Sequence, residues 1–221
     1  MQRLRPVLQR FLLSGLGKPI WFGLSVVPAL YLLFAAFADH LGANPAEALI
    51  RSTGDWALRG LCLVLAITPL RTVAGIPALA RFRRMAGLFV YFYAVLHLVS
   101  YAWLDQGFDL DALTADIAKR PFILVGFLAW LILTLLALTS WNRAIRAMGG
   151  LAWRRLHSSV HLIGGLGILH FFWIRAGKHN FFEVAVYASV LGALMAWRVR
   201  QRWRRRSAGQ GGLAGAGGRS G

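Results

Sequence analysis

Six stretches of this chain are each long enough to cross a hydrocarbon core, and they carry almost no charge. A helix spans that core with about 20 mostly apolar residues, and such runs lie at 19–38, 54–71, 83–104, 121–139, 153–174 and 181–198. In lipid every backbone polar group must be bonded within its own element, so an open sheet is excluded. None of the runs alternates as a strand does. The expected fold is therefore all-α, a polytopic six-helix transmembrane bundle. Composition agrees, with 57% hydrophobic and 15% charged residues among 221, where soluble domains run near half apolar and a quarter charged.

The formal net charge of +17 would suit nucleic acid as a partner, but its placement argues against that. The basic residues sit in short clusters between apolar runs. Arg3, Arg5, Arg10 and Lys18, then Arg71, Arg81, Arg83 and Arg84, then Arg143, Arg146, Arg154 and Arg155 share one side of six alternating spans. The same side holds Arg198, Arg200, Arg202, Arg204, Arg205, Arg206 and Arg219. The other side keeps only Arg51, Arg59, Lys119, Arg120, Arg175 and Lys178, together with all eight acids. Positive loops stay cytoplasmic, so both termini are expected in the cytoplasm and the partner is a lipid bilayer, not nucleic acid.

The segments then divide into 1–18, a cytoplasmic N-terminal piece; 19–200, the six-span domain; and 201–221, a basic then Gly-rich tail expected to be disordered. The stretch from Asp109 to Lys119 is too short and charged to span and reads as a surface helix. Ala36-Phe37-Ala38 resembles a signal-peptidase site, yet Ile20 to Ala38 is long for a signal segment and further spans follow, so a retained first helix is expected. The single cysteine, Cys62, lies inside an apolar run and implies no disulfide framework and no thiolate metal site.

Histidine inside a membrane is expensive and marks function by default. Of six histidines, His40 and His179 fall in loops, while His97 sits on the third span and His157, His161 and His170 on the fifth. Neutral imidazole is a good iron ligand, and a low-spin haem takes two axial nitrogens from opposite faces. At about 1.5 Å per residue, His97 and His170 match in depth toward the acidic side, and they are the expected pair for an outer haem b. His157 lies about 20 Å deeper and would serve a second, inner haem, with His161 one turn away as a substitute. An ideal helix would leave His157 and His170 roughly 140° apart, a mismatch that a bend at Gly164, Gly165 and Gly167 would relieve. Each histidine also has an ordinary reading as a helix-packing hydrogen bond.

Arg83 and Arg84, beside Arg81, are candidates for a haem propionate or flavin phosphate through the arginine fork, or for a topology anchor on lipid phosphate. Trp21, Trp103, Trp153 and Trp173 near span ends read as an interfacial belt. Tyr91, Phe92 and Tyr93 read as packing or the lining of a quinone pocket. Asp55 and Arg59, one turn apart, read as an ordinary helix pair or part of a docking or quinone site.

The strings GANPAEALIRSTGDWAL from Gly42, ITPLR from Ile67, RFRRMAGLF from Arg81 and LHLVSYAWL from Leu96 occur in this order. KRPFILVG from Lys119 and WRRLHSSVHLIGGLGILHFFW from Trp153 complete the set. In this order and spacing the chain resembles the MsrQ (YedZ) family, haem-binding membrane subunits within the ferric-reductase-like transmembrane superfamily. The resemblance reaches about Arg198 and leaves the Gly-rich tail unmatched.

It implies residence in a bacterial inner membrane, electrons drawn from membrane quinol, and delivery to a periplasmic molybdopterin-dependent methionine-sulfoxide reductase that repairs oxidised proteins. It implies haem ligation by His97, His157 and His170, while His161 falls where another member carries tyrosine. FMN is also associated with the family, without a residue here to assign to it. The chain would then be the electron-transfer component of an oxidoreductase, with the sulfoxide chemistry on its partner. The acidic stretch Asp105 to Asp116 is the expected docking surface. A standalone ferric or other metal reductase of the same superfamily, and a non-redox polytopic protein, remain alternatives.

Overall fold

The computed structural model describes residues 4–177 and 181–216, so His179 lies outside the described residues. These fold as helices: α1 (Leu4–Leu13), α2 (Gly17–Phe37), α3 (Pro45–Ala74), α4 (Arg83–Ser100), α5 (Leu110–Lys119), α6 (Pro121–Leu138), α7 (Asn142–Met148), α8 (Gly150–His157), α9 (Val160–Ala176) and α10 (Phe182–Ala216). A 3-10 segment, Pro77–Phe82, leads into α4, and a π-helical turn, Tyr101–Asp105, follows it. Six helical segments are long and apolar enough to cross a membrane, as the sequence implies: Gly17–Phe37, Pro45–Ala74, Pro77–Asp105, Pro121–Leu138, Gly150–Ala176 and Phe182–Arg204.

The second span begins well before its apolar window. Asn44 caps α3 by accepting a bond from the Glu47 N–H at 3.1 Å, and Pro45 opens its first turn. Pro at that position loses no helical bond, because the first N–H groups have no partner anyway. The early start places Ile50, Gly54 and Asp55 on regular helix. At the far end Gly75, at φ 66°, takes the left-handed conformation that closes the helix onto the Arg71 carbonyl.

Contacts between spans give their directions. His97, late in α4, meets Ile50 and Gly54, early in α3. His170, late in α9, meets Phe122 and Gly126, early in α6. Each pair is therefore antiparallel, and α3 with α4 and α6 with α9 are the two most extensive packings. α10 closes the bundle against α3 and α9. The interior is a continuous apolar cluster that includes Leu58, Leu61, Val64 and Leu65 of α3, Val90 of α4, Ala129 of α6, Ile163 of α9 and Leu191 of α10. Outward, α2 exposes Leu24, Val27, Leu30, Leu33 and Phe34, a surface suited to acyl chains and not to water.

α2 packs on the bundle through Trp21 against Phe82 and Phe22 against Phe89, and a tyrosine hydroxyl adds hydrogen bonds. Tyr93 accepts from the Ala29 N–H at 3.1 Å and donates to the Ser25 carbonyl at 2.7 Å. It thereby enters the helical ladder beside Pro28, whose ring already removes one ladder bond. Tyr93, expected as packing or pocket lining, is thus also a polar bridge.

The fifth span is interrupted, and at a different place from the one expected. Between α8 and α9 the Ser158 and Ser159 hydroxyls bond back to the Arg155 and Leu156 carbonyls at 2.6 and 2.7 Å. The His161 N–H reaches only to the Ser158 carbonyl, three residues back. About three residues wound at 120° instead of 100° bring the separation of His157 and His170 from about 140° to about 80°. Two of the glycines face neighbouring helices: a Cβ built on Gly164 would lie 3.9 Å from Leu191 and Leu65, and one on Gly167 would lie 3.8 Å from Leu58, while Gly165 faces open space.

Two terminal pieces complete the fold. α1 lies at the basic end, where Leu12 packs with Ile76, Ala78 and Phe82 and accepts a bond at its carbonyl from Arg81 at 2.7 Å. α10 continues as helix to Ala216, over much of the segment whose composition suggests a disordered tail.

Candidate functional site

The structure brings His97 and His170 together. Their ring centres are 6.1 Å apart and their planes 81° from parallel. His97 Nδ1 lies 2.8 Å from the Ile50 carbonyl, and His170 Nδ1 lies 2.6 Å from the Phe122 carbonyl. A carbonyl oxygen only accepts, so each Nδ1 carries the proton and each Nε2 keeps its lone pair. Among the described residues nothing bonds either Nε2.

Each carbonyl sits four residues before a glycine, one helical turn. A Cβ on Gly54 would lie 3.1 Å from Cε1 and Nδ1 of His97; on Gly126 it would lie 2.7 Å from the same atoms of His170. Two helices thus repeat one device: a carbonyl that orients the imidazole, and a missing side chain that lets the ring lie against the helix. Orientation of this kind fixes the tautomer and raises the basicity of the ligating nitrogen.

The separation itself is informative. A metal–imidazole bond is about 2.0–2.1 Å, and the ring centre lies about 1.1 Å behind the nitrogen, so imidazoles on opposite sides of one metal have centres about 6.3 Å apart. The 6.1 Å spacing of the ring centres matches that of two imidazoles sharing one metal. Among the described residues no group of three or more His, Cys, Asp or Glu converges.

The other histidines are arranged differently. His157 stacks on Trp153, ring centres 4.1 Å apart, and its Nε2 lies 3.1 Å from the Thr139 hydroxyl. Trp153 donates its Nε1–H to the Thr139 carbonyl at 2.9 Å. His161 Nδ1 bonds the Ser158 carbonyl at 2.7 Å, and its Nε2 is buried without a partner. Arg83 and Arg84 are the charged neighbours of His157, and Arg83, Arg198 and Arg202 are charged neighbours of His161. Arg84 donates to Asn142 Oδ1 at 2.7 Å. The basic end therefore gathers two imidazoles and several guanidinium groups, without a second facing pair of imidazoles.

Two further expectations change. Asp55 and Arg59 do not pair: no ion pair forms between them within 4.0 Å. Arg59 instead donates to the Tyr187 hydroxyl at 3.1 Å and lies 4.9 Å over the Trp56 ring. In the acidic stretch Asp116 is occupied, accepting from the Tyr101 hydroxyl at 2.5 Å and pairing with Arg120 at 2.8 Å. Asp109 caps α5, accepting from the Asp111 and Ala112 N–H groups.

Gly54, Gly126, Ile50 and Phe122 were not singled out from the sequence. Their signal was a glycine in each apolar helix with no turn to require it. Backbone carbonyls leave no trace in residue identity.

Residues 53–168 match the family model described as ferric reductase like transmembrane component, a stretch that contains His97, His157 and His161. Over 195 residues the chain is 60% identical to the protein-methionine-sulfoxide reductase heme-binding subunit MsrQ of Polaromonas naphthalenivorans, covering 88% of this chain and 89% of that protein. The chain belongs to the MsrQ family. Proteins of the same name from Ralstonia nicotianae and Herminiimonas arsenicoxydans are 47% and 44% identical. They cover 89% and 86% of this chain, and 89% and 87% of their own lengths. No solved structure was found to match. MsrQ membership and the six apolar helices make this a multi-pass membrane protein.

Proposed function

We propose that this chain is a membrane b-type cytochrome that relays electrons from quinol to a periplasmic molybdopterin-dependent methionine-sulfoxide reductase. The observation that carries the reading is the 6.1 Å spacing of His97 and His170 with both Nδ1 atoms committed to carbonyls. The printed name of the relatives, heme-binding subunits of a protein-methionine-sulfoxide reductase, supports the cofactor and the class of partner.

Haem b, when bound, supplies a reversible one-electron couple. The chain's part is to hold it. His97 and His170 would hold the iron through Nε2, with Ile50 and Phe122 fixing their tautomer and Gly54 and Gly126 their approach. The surrounding apolar helices keep water from the site and tune its potential. A second haem would draw on His157, which must first give up the Thr139 hydroxyl, or on His161. Arg83 and Arg84 would hold propionates or an FMN phosphate, and Arg84 would exchange Asn142 for that role.

The basic end is assigned to the cytoplasm of the inner membrane, with both termini there. The acidic end, with Asp105, Asp109 and Asp111, is assigned to the partner. Residues 19–200 form the haem domain, with 1–18 and 201–221 as appendages.

The test is a reduced-minus-oxidised spectrum of the purified protein beside His97→Ala and His170→Ala. A b-type spectrum lost in either variant supports the reading. A colourless wild-type protein expressed with ample haem refutes it. Reduction of iron chelates at full rate without the soluble reductase would instead favour a standalone metal reductase.

A further inference from the structure

The face of α3 opposite the His97 cradle opens onto a cavity. Residues 52, 55, 56 and 59 share one side of the helix, while Ile50 and Gly54 share the other. With α2 they line an open-sided groove of about 480 Å³, bounded by Val27 and Tyr31 of α2 and Ser52, Asp55, Trp56 and Arg59 of α3. A second space of about 470 Å³ continues from Ser52 and Asp55 toward Asn44 and Glu47, at the acidic end. Both volumes fall in the range of small-molecule sites.

The lining is selective. Most of it is apolar and aromatic, and α2 is the outlying helix, so the cavity lies beside the lipid. Asp55 makes no hydrogen bond and no ion pair within 4.0 Å among the described residues, and the Ser52 hydroxyl makes no hydrogen bond. Asp55 stands at the outer edge of the apolar window of α3, where Arg59 is a charged neighbour but donates its hydrogen bond to Tyr187, so the carboxyl oxygens are left with no donor of their own at the cavity. The ligand that answers them is flat, lipid-soluble and carries hydroxyl donors.

We propose that this cavity is the hydroquinone site, with Tyr31 and Trp56 against the ring and Asp55 and Ser52 as hydrogen-bond partners of a ring hydroxyl. The proposal rests on the reading that quinol is the electron donor. The site is separated from His97 by the thickness of α3, roughly 10 Å. Oxidation of the hydroquinone to quinone releases two electrons and two protons. A haem held by His97 and His170 would be the one-electron acceptor, used twice per hydroquinone, with reoxidation by the soluble reductase between the two transfers. One proton passes to an Asp55 oxygen and the other to water through the mouth near Glu47.

The experiment uses the full chain in nanodiscs with a decyl-chain azidoquinone as photolabel. Label is expected on peptides 24–32 and 52–59, competed by decylquinone and not by excess phospholipid. Asp55→Leu is expected to lower labelling about tenfold. Asp55→Asn is expected to slow haem reduction by duroquinol about a hundredfold, with the dithionite-reduced spectrum unchanged. Val27→Trp, filling the cavity from α2, is expected to lower labelling without touching the acid. Label on other peptides, or equal competition by phospholipid, while duroquinol still reduces the haem, overturns the site and leaves the donor in place. Failure of duroquinol to reduce a haem that dithionite reduces overturns the donor, and the proposal with it.

Discussion

Gly126→Ala is the smallest change that tests the histidine cradle. The added Cβ would stand 2.7 Å from two atoms of the His170 ring, where ordinary contact begins near 3.4 Å. The ring or the helix must yield by about 0.7 Å. The crowded edge is the one that bonds Phe122, Nδ1 to the carbonyl at 2.6 Å, so the ring cannot back away from the Cβ and keep that bond. Overpacking of this kind costs about 1–3 kcal/mol, and loss of a supporting bond to a metal-ligating histidine lowers metal affinity about 10–100-fold.

Gly54→Ala asks for about 0.3 Å at His97, where the contact is 3.1 Å, and should be milder. Gly87→Ala is the control, on the helix that carries His97 but with nothing within 4 Å. Replacing a helical glycine with alanine there should stabilise by up to about 1 kcal/mol. The assay is haem bound per protein after gel filtration, with the reduced-minus-oxidised spectrum and the Tm. Haem retention should fall in the order Gly87→Ala, Gly54→Ala, Gly126→Ala. Gly126→Ala with the haem content and spectrum of Gly87→Ala would refute the cradle.

Two more outcomes follow from other contacts. Thr139→Val frees His157 Nε2 from its 3.1 Å partner and should raise the occupancy of any haem that uses His157, read as haem per protein; unchanged occupancy argues that His157 is not a ligand. Tyr93→Phe removes the hydroxyl bridging Ala29 and Ser25 and should cost about 0.5–1.5 kcal/mol, lowering the Tm with the haem spectrum unaltered.

The sequence carried the membrane architecture well because hydropathy and charge act locally. Six apolar runs and clustered arginines suffice to place the spans, and 1.5 Å per residue suffices to match His97 with His170 in depth. Helix starts were less legible. The apolar window of the second span begins near residue 54, but Asn44 and Pro45 begin the helix earlier, and capping chemistry decided it, not hydropathy. The break in the fifth span was expected at glycines and lies at Ser158–Ser159, where hydroxyls compete for backbone carbonyls. Asp55 and Arg59 have the spacing of a pair, yet Tyr187 and Trp56 from the folded bundle capture the guanidinium.

What the sequence determined by itself was the number of spans, their alternation and the histidines at common depth. Only the tertiary structure decided which way each helix is turned. That rotation brings the Ile50 and Phe122 carbonyls to the two imidazoles, seats the rings on Gly54 and Gly126, and leaves Asp55 facing a cavity. The reason is physical. A helix in lipid is apolar on its outward face as well as its inward one, so little amphipathic stripe marks the side that faces its neighbours. Facing is then set by packing and hydrogen bonds between helices, which no single segment contains.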